Sequence, residues 1–203
     1  MHFEFLVEER SAEIALHILL ERLLPVGDSY HVHPYNGKND LLRKLPSRLR
    51  SYMRFIPSDW RIVVLVDNDT DDCRRLKEKL EEMARDAGFT TLTQNRGSGP
   101  PQVLNRIAIE ELEAWFFGDV EAIVAAFPSV PPTLDRRARF RNPDAIRGGT
   151  WEALEQVLQK AGYYSAGMPK IETARRISEH MIPERNRSGS FQVFMKGLTA
   201  LSK

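Results

Sequence analysis

The chain has 203 residues, 42% of them hydrophobic, and a net charge of +1, which allows one domain of ordinary size with a real core or one plus a small appendage. No apolar run approaches the roughly 18 residues of a membrane span, and Met1-His2-Phe3-Glu4 lacks the regions of a signal peptide, so a cytoplasmic protein with no membrane partner is expected. A single cysteine, Cys73, excludes an internal disulfide and a cysteine-based metal knuckle.

In chain order, residues 3–7 predict a short strand that stops at Glu8-Glu9. Ser11 reads as the N-cap of a helix whose apolar residues recur until Pro25. Residues 30–35 alternate as a second strand with His31 and His33 on one face, a pair that could bind a metal or simply form a polar strand face. After the Asn36-Gly37 turn, residues 41–53 predict a basic helix kinked or restarted around Pro46. Residues 62–66, Ile-Val-Val-Leu-Val, are a continuous aliphatic run, the pattern of a strand buried on both faces of a parallel sheet. A charged helix over 73–87 ends at Gly88, residues 89–93 predict a fourth short strand, and 95–102 a Gly- and Pro-rich loop. Residues 103–109 predict a fifth strand and Glu110-Glu111-Leu112-Glu113 the acidic first turn of a helix, after which Asp119 reads as the cap of another.

The βαβα order argues a parallel-sheet α/β domain over 1–127. Residues 128–149 hold four prolines and five arginines and predict an irregular excursion. Helical patterns at 151–161, 169–180 and 191–201 make the tail a helical extension. Residues 128–203 carry 13 Lys and Arg against 7 Asp and Glu, a surplus of 6 in a chain of net +1, which leaves the first 127 residues at −5.

Asp67, Asp69, Asp71 and Asp72 crowd the end of the 62–66 strand, where open α/β sheets bind their ligands. Four acids in six residues repel one another unless something cationic sits among them, so Asp67, Asp69 and Asp71 are candidate ligands of a divalent metal. The competing reading is a solvated helix N-terminus, which Asp71 and Asp72 would suit. The spacing from Asp67 to Glu78 imitates a calcium-binding EF-hand loop, but Asp72 stands where that loop needs glycine and a β-run precedes it. An aspartyl-phosphate phosphatase motif would likewise want Thr or Val at the place of Asp71. Glu111 and Glu113 at the next strand-to-helix junction could add a ligand or match the helix dipole.

Taken together, the acid after the first strand and the Asp-x-Asp after the third resemble the Toprim domain of primases, topoisomerases and OLD-type nucleases. Closer still, Leu6 to Ser11, Tyr35 to Pro46, Val64 to Cys73 and Glu111 to Asp119 resemble a Toprim-like bacterial family, domain of unknown function 4276. The resemblance implies a Toprim-like (Rossmann-like) fold, Mg²⁺ or Mn²⁺ held by Asp67 and Asp69, and acid/base chemistry by Glu8, or by Glu9, which stands where Toprim domains carry glycine. It also implies a partner ATPase, since such proteins often operate beside ATPases in genome defence. Phosphodiester cleavage needs a neutralised phosphoryl oxygen, a positioned water and a protonated leaving oxygen, which carboxylate-held metal and a nearby Glu can supply. The expectation is therefore a metal-dependent nuclease or related phosphoryl-transfer enzyme. Lys38, just beyond the second strand, could reach the scissile phosphate, and Arg136, Arg137, Arg139 and Arg141 could bind nucleic acid; the competing reading of these arginines is a solvated loop balanced by the acidic front. A non-catalytic adaptor of a partner ATPase and a small-molecule phosphoesterase are the alternatives.

Overall fold

The computed structural model describes residues 1–69, 71–95 and 99–202. Four parallel strands, β1 (His2–Val7), β2 (Ser29–Pro34), β3 (Trp60–Asp67) and β4 (Val103–Ala108), lie in the order β2-β1-β3-β4. The chain winds outward from β1 to β2 and then returns to place β3 on the other side of β1. The connections therefore diverge between β1 and β3, the kind of point where open α/β sheets hold their ligands. Phe3↔Arg61 and Val7↔Leu65 set the β1–β3 register, which brings the residues just after Val7 level with the end of β3.

Successive side chains on a strand face opposite ways, and here both rows are apolar because both faces are covered. Phe3, Phe5, Val7, Val63 and Leu65 pack against α1 (Arg10–Leu23) and a group of later helices: α4 (Glu113–Gly118), α5 (Val120–Ala126), α6 (Thr150–Lys160), α7 (Lys170–Ser178) and α8 (Gly189–Leu201). Leu6, Ile62, Val64 and Val66 pack against α2 (Lys38–Phe55) and α3 (Cys73–Asp86). The result is a mixed α/β fold with a helical C-terminal region. The helical tail is not a separate layer of core, since Phe191, Phe194 and Ile177 share one buried cluster with Phe3 and Leu16.

Several expectations are corrected. Residues 89–93 form no strand. Only Thr91 bridges, to Val103, because the chain turns immediately afterwards, with Gln94 N–H donating to the Thr91 carbonyl at 3.2 Å. Ser11 is not the N-cap of α1. The cap position is Glu9, and Ser11 lies buried in the first turn with its hydroxyl donating to Glu9 Oε1 at 2.5 Å. Helix α2 starts at Lys38, three residues earlier than the pattern suggests, and runs through Pro46 without restarting. Leu41, Leu45, Leu49 and Tyr52 form its buried stripe. At about 1.5–3 kcal/mol for each large apolar side chain, that stripe outweighs the ~3 kcal/mol cost of an internal proline. Asp119 caps α5 as expected, accepting from Ala122 N–H at 3.2 Å. The excursion over 128–149 holds three single-turn 3₁₀ segments. Residues 96–98 of the predicted 95–102 loop lie outside the described residues.

Candidate functional site

Glu8 and Asp67 are 59 positions apart, yet the β1–β3 pairing makes them neighbours. The Asp67 backbone N–H donates to Glu8 Oε2 at 3.1 Å. Asp67 continues the row of Val63 and Leu65, so its carboxylate emerges on the face of the sheet that carries α4 and α7. Beyond it the chain bends sharply. Asp69 has a positive φ of 49°, a conformation that aspartate tolerates better than most residues, and its N–H donates to the Glu110 carbonyl at 2.8 Å. The β3 and β4 exits are thereby tied together, which brings the Glu110–Glu113 turn alongside Asp67.

The electrostatic consequence is strong. Burial pushes the Asp67 carboxyl well above the usual carboxylate range, and the charges of Glu113, Glu8, Glu9 and Asp69 add to the rise. Burial raises Glu8 as well, assisted by the Asp69 charge and opposed by the Asp67 N–H and by Lys38. Glu113, only 3% exposed, is pushed by burial up to about 7, with Lys170 opposing and Glu111 assisting. Burial and then Glu111 raise Glu110 too. These shifts identify a place where negative charge is held against its own repulsion, a property that concentrates at functional sites.

Two lysines flank the acids. Lys38, the first residue of α2, places Nζ 2.6 Å from Asp69 Oδ2, 2.8 Å from Asp71 Oδ2 and 3.1 Å from the Asn68 carbonyl. Burial pulls its pKa down, but the two carboxylates outweigh that and hold it above the ordinary lysine value. From the opposite side Lys170, at the start of α7, reaches Glu9 Oε1 at 3.3 Å and lies 4.8 Å over the Trp151 ring. Burial again opposes, and Glu113 and Glu9 again win, so its pKa is raised.

The sequence candidates are thus sorted by position. Glu8, Asp67, Asp69 and Glu113 converge on one edge, Glu9 faces Lys170, and Asp71 is an exposed partner of Lys38. Asp72 caps α3, accepting from the N–H groups of Arg74 and Arg75 at 2.9 and 3.2 Å. Glu111 turns away to cap a different helix: its Oε2 accepts from Thr150 Oγ1 and Trp151 N–H, both at 2.8 Å, in the first turn of α6. Among the described residues no three His, Cys, Asp or Glu side chains already stand at the separations of a metal cage. The donors that do converge are carboxylate oxygens, hard ligands of the kind that suit Mg²⁺ and Mn²⁺. His33 is committed elsewhere, donating through Nε2 to the buried Glu4 and stacking on His31 with ring centroids 4.3 Å apart.

The arginines of the excursion are spread over different recesses. Arg137 and Arg139 line one cleft, Arg136 lines a recess with Asp119 and Asp135, and Arg141 is exposed. Sequence reasoning missed Lys170. Its signal was a lysine at the very start of a helix, where the dipole disfavours a cation unless acids lie nearby; Lys38 carries the same signal.

The family model described as domain of unknown function (DUF4276) matches residues 7–199. No curated protein and no solved structure matches the chain.

Proposed function

The chain belongs to the DUF4276 family, whose description assigns no activity, so its chemistry is read from its own residues, and we propose that it is a metal-dependent phosphodiesterase of Toprim-like architecture acting on nucleic acid. The observation that carries this reading is the crowding of Glu8, Asp69 and Glu113 around Asp67 at the strand edge, with Lys38 and Lys170 on either flank. Asp67 and Asp69 would hold one divalent cation, Mg²⁺ or Mn²⁺, with Asp69 turning from Lys38 to do so. Such a cation supplies positive charge to a phosphoryl oxygen and relieves the carboxylate repulsion. Glu8 moves the proton: its raised pKa lets it give one to the departing oxygen and take one from the attacking water. Lys38, once free of Asp69, places its ammonium against the phosphate. Glu9 holds Lys170 in place, and Glu111 fixes the start of α6 beneath the site.

The test is supercoiled-plasmid nicking with Mn²⁺ by wild type, Glu8→Gln and Lys38→Ala. The reading predicts nicking by wild type, a loss of at least about 100-fold in Glu8→Gln, and a fall in turnover exceeding the fall in affinity in Lys38→Ala. Equal nicking by wild type and Glu8→Gln would remove Glu8 from the chemistry.

A further inference from the structure

The excursion at 128–149 folds back on the C-terminal half of α6 and leaves a cleft of about 420 Å³ between them. Its floor is apolar and buried, with Leu134, Phe140 and Val157 each under 10% exposed. Three cations converge on its rim, Arg137 and Arg139 from the excursion and Lys160 from the last turn of α6, and no carboxylate among the described residues lines it. None of the three is ion-paired with a described residue. The helix dipole explains a lysine at the end of α6, but it does not explain two arginines brought to the same place from another segment. The Arg139 guanidinium donates to Gln156 Oε1 at 2.9 Å and lies 5.5 Å over the Phe140 ring, which itself stacks on Phe117.

We propose that this cleft binds a nucleoside monophosphate group. The volume falls in the range of small-ligand sites, roughly 300–1,000 Å³, and its division into an apolar floor and a cationic rim matches a ligand with a flat ring at one end and a phosphate at the other. Arg137, Arg139 and Lys160 hold the phosphate, and the ring covers Leu134 and Val157. This site is separate from the acidic edge. Trp151, whose N–H donates to Glu111, and Lys160 are nine residues apart on α6, and at ~1.5 Å per residue that separates them by roughly 14 Å, too far for one phosphate to serve both. The nucleotide is either free or the phosphorylated end of a strand, and both present the same group.

Isothermal titration in EDTA, which silences any metal chemistry at the acidic edge, tests the proposal with 5′-AMP, adenosine and inorganic phosphate as probes. The full chain should bind 5′-AMP at least about 10-fold more tightly than either fragment, and Arg137→Gln/Lys160→Gln should weaken 5′-AMP by about 10-fold or more while lowering the unliganded melting temperature by no more than about 4 °C, since both side chains are exposed and only the favourable contact of Lys160 with the α6 dipole is lost. A 5′-phosphorylated oligonucleotide that displaces 5′-AMP places the group at a strand end; failure to displace bound 5′-AMP places it on a free nucleotide. No 5′-AMP binding at millimolar concentration, or equal affinity in the double variant, overturns the proposal.

Discussion

Lys170 Nζ stands 3.3 Å from Glu9 Oε1, a contact made across 161 positions of chain that joins the helical tail to the exit of the first strand. The same ammonium opposes the rise in the Glu113 pKa. Lys170→Met should therefore destabilise the protein at neutral pH by about 1 kcal/mol, and Glu113→Gln should reverse much of that loss, since close charged neighbours couple by roughly 0.5–3 kcal/mol. Denaturant melts of the two single variants and the double variant measure the coupling. Additive effects would show that Lys170 does not neutralise Glu113.

Glu113 titrates up to about 7 in the folded chain from an ordinary value of 4.5. Its folded pKa is raised, so the folded state holds a proton that the unfolded state has lost. Stability is full below pH 4.5 and falls as pH rises through about 7, by about 3 kcal/mol for a shift of that size. In EDTA, Glu113→Gln should flatten that slope; a slope unchanged in the variant would show that other groups set it.

Glu4 behaves oppositely. Burial alone would raise it, but hydrogen bonds from His33, Tyr52 and His2 lower it to about 2. Its contribution is present above pH 4.5 and is lost as pH falls toward about 2. Glu4→Gln should cost about 2–3 kcal/mol at pH 6 and remove part of the acid limb of the stability profile. A variant as stable as wild type at pH 6 would contradict the assignment.

Glu111→Ala should cost about 1 kcal/mol through loss of the α6 cap, while leaving any Mn²⁺-dependent stabilisation intact. Loss of the Mn²⁺ response in this variant would instead make Glu111 a ligand.

Much of this arrangement was legible in the residues. The unbroken, β-branched 62–66 aliphatic run read as a strand covered on both faces, and an apolar strand ending in acid at Glu8 and again at Asp67 pointed to the two meeting at one edge. What was hidden depends on partners distant in the chain. Glu111 caps a helix that begins 39 positions later, and Lys170 meets Glu9 only because α7 packs on α1. Residues 89–93 looked like a strand because their composition suits one, but composition does not register that the chain turns after a single bridge.

The most direct test of the acidic centre is a thermal-shift titration with Mn²⁺ on wild type and Asp67→Asn. At saturating metal, wild type should gain about 2–3 kcal/mol, at about 2–4 °C per kcal/mol for a chain of this size. Asp67→Asn should melt higher than wild type in EDTA, because it removes a buried charge, and should gain nothing from Mn²⁺. A wild-type protein indifferent to Mn²⁺, or an Asp67→Asn variant that responds as wild type does, would contradict the account.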